Sequence, residues 1–300
     1  MKKILILVNR TMTNKNSFHA GLKEKLGGQA EIDIAHFEDI IISIEQDNTS
    51  VLIGEKDIRD YDITYFRRAG REFLWLAATV AAYLESAGKK YFDSTYKEVG
   101  PTGAKLTSLL KLAVNGMPVI PTFFCYKGNI LQNSDLIISR FGLPLVMKDL
   151  YSQRGRGVFL INEKKDIESL VSASPDKKFM FQKFVDKKEE FRVLVLGETI
   201  GSFETKTSQD PKEFRNNVSL GAREDFIDID KIPPEIRNVS VASAKILKIE
   251  IAGVDVTIDR SGKVWILEVN RGPGFTYLSE ESPEIASVAK FFLEELAKIK

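Results

Sequence analysis

A chain of 300 residues, 43% hydrophobic and 28% charged, is long enough for two or three packed lobes and excludes a disordered class. Its formal net charge of +1 gives no overall attraction to nucleic acid or to an anionic membrane surface. A single cysteine, Cys125, excludes an intrachain disulfide and fits a reducing, cytoplasmic setting.

Met1-Lys2-Lys3 leads into the apolar run Ile4–Val8, too short for a membrane span or a signal-peptide core and read as a buried strand of a parallel sheet. A polar helix is expected at Asn16–Leu26, then strands Glu31–Ala35 and Ile63–Phe66, an apolar helix Arg71–Ala87 and the strand Lys90–Phe92. This βαβ rhythm predicts a small open parallel sheet. No G-x-G-x-x-G follows the first strand, so a dinucleotide site is not supported. Polar, small residues at 94–104 mark a domain boundary. Beyond them come helix Lys105–Val114, helix Ser134–Phe141, strands Leu145–Asp149 and Val158–Ile161, helix Ile167–Ser172 and a strand ending near Gln182. A helix at Val239–Ile249, a hairpin over 252–270 and a last helix at Pro283–Lys298 complete the chain, and no internal repeat is present. The expected parts are 1–100, 101–185 and 186–300.

The hairpin carries the strongest chemical signal. Gly253-Val254-Asp255-Val256 and Leu267-Glu268-Val269-Asn270-Arg271-Gly272-Pro273-Gly274-Phe275 flank the turn Asp259-Arg260-Ser261-Gly262. With Asp255 facing Ile266, Glu268 lies diagonally beside Asp255, and Asn270 shares that face because side chains alternate with period two. Two carboxylates and an amide on an otherwise apolar hairpin suit a hard cation such as Mg²⁺, with Mn²⁺ as its alternative.

Lys148 then precedes a turn containing Gly155, Arg156 and Gly157, and Val158 opens the next strand. Glycines let backbone N–H groups approach phosphate oxygens while lysine and arginine supply charge, although the pattern is not a Walker A loop. Lys105, Lys148, Arg192, Lys206 and Arg215 form a basic series on separate elements, and Arg215 with Asn217 can clamp a charge-rich transition state. Tyr65-Phe66-Arg67-Arg68 ends a strand, where ligands of open α/β sheets tend to sit. His19 and His36 lie far from these motifs, and Cys125 reads as a small packed apolar residue.

These residues resemble the ATP-grasp superfamily and, within it, the RimK-like ligases related to ribosomal-protein glutamate ligase and glutathione synthetase. The resemblance runs over roughly residues 100–280. It rests on the Gly-Val-Asp … Glu-Val-Asn-x-x-Pro-Gly-Phe pattern of 253–275, on Lys148 and its glycine-rich loop, on Gln182-Lys183-Phe184-Val185 … Glu190-Phe191-Arg192, and on Phe214-Arg215-Asn216-Asn217. It implies an ATP-grasp fold of α/β and α+β parts, with an N-terminal open parallel-sheet (pre-ATP-grasp) domain. It further implies Asp255, Glu268 and Asn270 as Mg²⁺ ligands, and Lys105 and Lys148 as contacts to ATP phosphates. Gln182, Lys183, Phe184 and Val185 become the linker that reads adenine, Glu190 the ribose carboxylate, and Arg215 with Asn217 the pair at the γ-phosphate. Lys183 stands where many relatives carry a glutamate. Val218-Ser219-Leu220-Gly221-Ala222 replaces the basic double-glycine stretch of the glutamate ligase itself.

The activity implied is ATP-dependent joining of a carboxylate to an amine through an acyl phosphate, releasing ADP and phosphate. The substrates are of small-molecule or peptide kind, a homo-oligomer is allowed, and neither membrane nor nucleic acid is a partner. A kinase-like phosphotransferase and a non-catalytic nucleotide-binding module are the alternatives.

Overall fold

The computed structural model describes residues 1–9, 23, 28, 30–46, 48–67, 69, 72–92, 96–99, 105–152, 157–208, 222–271, 273 and 282–296. The helix expected at Asn16–Leu26, apart from Lys23, and Arg68 therefore lie outside the described residues. The chain divides into two compact units: 1–114, 121–151 and 157–184 form the first, and 115–120, 152–156 and 185–300 the second.

In the first unit the strands are β1 (Lys2–Val8), β2 (Ala30–His36), β3 (Ile40–Ile44), β4 (Ser50–Ile53), β5 (Lys56–Asp57), β6 (Ile63–Arg67), β7 (Lys90–Phe92), β8 (Thr122–Cys125), β9 (Leu145–Asp149), β10 (Val158–Ile161) and β11 (Phe179–Lys183). A parallel sheet runs in the order β2-β1-β6-β7. Leu5 through Val8 are fully buried in it, as a continuous apolar run should be. Helix Leu74–Ser86 is buried from Leu76 through Leu84 and packs on helix Lys105–Val114, where the Thr79 and Thr107 hydroxyls meet at 2.6 Å.

A second, antiparallel sheet runs β10-β9-β11-β8-β3-β4-β5. It joins residues 40–57 to residues 122–183, on both sides of position 100. One of its faces builds a core from Phe123, Cys125, Leu145, Met147, Phe179 and Phe181 against Ile130 and Ile137 of helix Ile130–Phe141 and Ile167 and Val171 of helix Lys164–Ala173. A reciprocal capping box between Glu163 and Asp166 starts that last helix earlier than its apolar residues alone indicate. Cys125 is fully buried there, and burial pushes its thiol up to about 12, consistent with a packed apolar residue.

The second unit is a five-stranded antiparallel sheet, β14-β13-β12-β15-β16, made of β12 (Lys187–Leu196), β13 (Thr199–Thr207), β14 (Arg223–Ile227), β15 (Ile251–Asp259) and β16 (Val264–Arg271). Phe191, Val193, Phe203, Val254 and Val256 are buried on one of its faces, with the Phe191 and Phe203 rings 5.1 Å apart. Helices Pro234–Leu247 and Glu284–Leu296 pack against the sheet. Among the described residues no helix is long and apolar enough to cross a membrane.

Candidate active site

Strands β15 and β16 meet at a turn organised by Asp259. Its carboxylate accepts from Ser261 N at 2.8 Å, Lys263 N at 3.0 Å and Trp265 Nε1 at 2.8 Å, while Gly262 takes the left-handed φ of 88° that a side chain would resist. From there Ile258 pairs with Val264 and Val256 with Ile266, and then the ladder steps by one residue so that Asp255 stands opposite Glu268. The expected pairing of Asp255 with Ile266 is therefore corrected. The turn closes one residue differently, and Leu267 is the extra residue of a β-bulge. Without that bulge Asp255 would face Leu267, and Glu268 would point to the opposite side of the sheet. Gly253 lies opposite Asn270, and a Cβ placed on it would come within 2.8 Å of the Pro273 Cβ, so glycine keeps this edge open.

Register across the sheet sets Glu268, Asp255, Arg192 and Glu204 in one row, on β16, β15, β12 and β13. Arg192 grips Asp255 with both prongs, Nε to Oδ1 at 2.9 Å and Nη2 to Oδ2 at 3.0 Å. Lys206 Nζ donates to Oδ1 at 3.1 Å and Asn270 Nδ2 to Oδ2 at 3.1 Å. Burial would raise the Asp255 carboxyl, but the charges of Lys206 and Arg192 and their hydrogen bonds outweigh it and hold it below the usual carboxylate range. The same pairing keeps Arg192 charged against its own burial. Glu190, two residues before Arg192 on β12, is buried and bonded by Lys187 at 2.6 Å.

The sequence motifs did not single out Glu204. It is 1% exposed, its Oε1 is 4.0 Å from Arg192 Nε, and its Oε2 has no hydrogen-bond partner among the described residues. A signal was available, because Glu204 lies two residues before Lys206 on one strand and so shares its face. Burial, reinforced by the charge of Glu224, pushes its carboxyl up to about 8 against the pull of Lys206 and Arg192. Folded chain thus keeps a proton that unfolded chain, with the group near 4.5, has already released. Stability from this group is complete below pH 4.5 and declines as pH rises towards 8, with a slope approaching about 1.4 kcal/mol per pH unit. Urea unfolding across this window should show Glu204→Gln with a flatter pH profile than the parent; parallel profiles would contradict the assignment.

In the first unit, Lys148 of β9 pairs with Met180 of β11 and Val146 with Gln182, so Lys148 and Gln182 share the face opposite the helix-covered core. Gln182 is buried and donates from Nε2 to Thr122 Oγ1 at 2.9 Å, and its Oε1 has no partner among the described residues. Lys183 is exposed, with its backbone N–H donating to Pro121 O at 3.0 Å, and Phe184 and Val185 follow without regular structure. Gly157 closes the β9–β10 hairpin by accepting from Asp149 N at 2.8 Å. Lys105 begins its helix and lines a small pocket with Trp75, Leu106, Leu150 and Tyr151. Gly155, Arg215 and Asn217 lie outside the described residues.

The donor set Asp255, Glu268 and Asn270 is oxygen-rich and sits on one face, which fits a hard divalent cation. Among the described residues no group of three or more His, Cys, Asp or Glu is placed to hold a metal ion, so the candidate donors are the carboxylates of Asp255 and Glu268 with the Asn270 amide. The model of the RimK-like ATP-grasp domain matches residues 102–290. The chain belongs to the RimK-like ATP-grasp family. As such it is an ATP-dependent carboxylate–amine ligase. A probable alpha-L-glutamate ligase of Coxiella burnetii is 28% identical over 262 residues, 86% of this chain and 84% of that protein. D-alanine–D-alanine ligase of Bacillus anthracis, solved with ATP, shares the fold with a TM-score of 0.52 at 21% identity, over 100% of this chain and 98% of that one. The ATP-grasp ligase PsnB, solved with its minimal precursor, matches with a TM-score of 0.52 at 16% identity, over 99% of each chain.

Proposed function

We propose that this RimK-like ligase joins a small-molecule or peptide carboxylate to the amine of an amino acid or peptide in the cytoplasm, with Asp255, Glu268 and Asn270 as its metal ligands. The observation that carries the ligand set is the bulge-corrected register that puts Glu268 directly across from Asp255, with Asn270 bonded to the same carboxylate. A bound Mg²⁺, or Mn²⁺ in its place, would neutralise phosphate charge and act as a Lewis acid. Lys206 and Arg192 add fixed positive charge on the same face, ready for anionic phosphate oxygens. Lys105, Lys148 and Gly157, with Gly155, hold the phosphates, and the backbone of Gln182 to Val185 reads the adenine. Glu190 accepts from the ribose, and Arg215 with Asn217 steadies the γ-phosphoryl as the carboxylate attacks it. The amine then attacks the acyl carbon of the resulting acyl phosphate, the bond to phosphate breaks, and loss of a proton from nitrogen leaves an amide. Positioning and charge neutralisation suffice for the first step, so no covalent nucleophile of the chain is required.

Support for an amino-acid or peptide amine comes from the glutamate ligases among the relatives. The test is incubation of the purified chain with ATP, Mg²⁺ and pools of amino acids and short peptides, following ADP release and product mass. An amide accompanied by ADP supports the reading. ADP formed without any amine would replace it with phosphotransfer, and nucleotide binding without turnover on any pool would argue for a regulatory module.

A further inference from the structure

The four donors on Asp255 take up the whole carboxylate. Arg192 Nε and Lys206 Nζ occupy Oδ1, and Arg192 Nη2 and Asn270 Nδ2 occupy Oδ2. A carboxylate offers about four lone-pair directions, so none remains for a cation while all four donors stay. Asn270 has no reason to leave, since donating from Nδ2 does not engage its own carbonyl oxygen with that carboxylate. One of the cationic donors must yield, and a divalent charge at Asp255 would repel both.

We propose that Glu204 is the positioning residue that receives Arg192 when a divalent cation takes Asp255. Glu204 is the direct cross-strand neighbour of Arg192, on the side away from Asp255. Its Oε1 is 4.0 Å from Arg192 Nε, a short reach for a side chain with four rotatable bonds, and the other oxygen is buried without a partner among the described residues. A buried carboxyl with one oxygen lacking a hydrogen bond is costly in a resting protein and becomes satisfied when the guanidinium arrives. Arg192 thus has two acidic stations, one on each neighbouring strand. Lys206 is arranged likewise, with Glu224 opposite it on β14. The exchange keeps the guanidinium hydrogen-bonded to a carboxyl group on one neighbouring strand or the other, so the cation does not have to leave a buried donor without an acceptor in order to bind.

This inference rests on the proposed ligation by Asp255 and is tested by binding rather than turnover. Calorimetric titration of ADP into the full chain, with Mg²⁺ and with EDTA, gives the Mg²⁺-dependent gain in affinity. In Glu204→Gln the gain should shrink about tenfold while ADP affinity in EDTA is unchanged, a split that a general structural lesion would not produce. Glu204→Asp should restore part of it, and it also serves as the folded variant if the glutamine form does not fold. In an Arg192→Gln background, Glu204→Gln should cost nothing further, because there is no arginine left to receive. A full Mg²⁺ gain in Glu204→Gln, or an equal loss with and without Arg192, would overturn the exchange. A parent chain whose ADP affinity ignores Mg²⁺ would instead overturn the proposed metal ligation and this inference with it.

Discussion

Replacing Asp255 with alanine is expected to destabilise the second unit by about 3–5 kcal/mol as well as to abolish Mg²⁺-dependent nucleotide binding. The carboxylate is the shared acceptor for Arg192, Lys206 and Asn270, and Lys206 is only 6% exposed. Its removal leaves two cations side by side in a poorly solvated place, with the Glu204 carboxyl 4.0 Å from Arg192. Urea unfolding monitored by Trp265 fluorescence should show the midpoint fall sharply. Asp255→Asn, which retains an acceptor oxygen, should fall less. A change below about 1 kcal/mol for the alanine variant would mean that the ion network contributes nothing to the fold.

Glu268→Ala should behave in the opposite way. No side-chain hydrogen bond or ion pair ties Glu268 to its neighbours among the described residues, and the Asp255 carboxylate opposite it is already bonded by Arg192 and Lys206, so the Glu268 side chain adds no pairing of its own to the fold. Its loss should leave thermal stability unchanged or slightly improved, while turnover falls about a thousandfold because a proposed metal ligand has gone. Near-normal turnover of the pure variant would remove Glu268 from the metal site. The contrast between the two neighbouring acids separates a residue that serves the fold and the site from one that serves the site alone.

Much of this arrangement was legible in the residues. The apolar run Ile4–Val8, the strands Leu145–Asp149 and Val158–Ile161 and the helix Lys105–Val114 form where periodicity and breakers indicate. The acid–amide pattern of 253–270 identified the polar hairpin face. What escaped depends on partners distant in sequence. Strands β3 to β5 join the seven-stranded sheet because Ile41 to Ile44 pair with Thr122 to Cys125, and nothing local to residues 40–57 announces that partner. The grip of Arg192 on Asp255 likewise needs the β12–β15 register, which alternation within either strand does not fix. The hairpin register differs from the expected one because a turn of this kind gives no strict count, and a bulge leaves no mark in a hydrophobic pattern.

That bulge acts as a frame correction. Because Leu267 is looped out, the address of Glu268 is set by the strand opposite it and not by its distance along the chain from Asp255. Deleting Leu267 would let Glu268 follow Ile266 directly and still meet Asp255 in a regular ladder, whereas flattening the bulge with Leu267 retained would send the acid to the opposite face of the sheet. Related chains can therefore differ by one residue between these two acids and keep the same polar face, so a gap in an alignment at this point carries no evidence that the site has been lost.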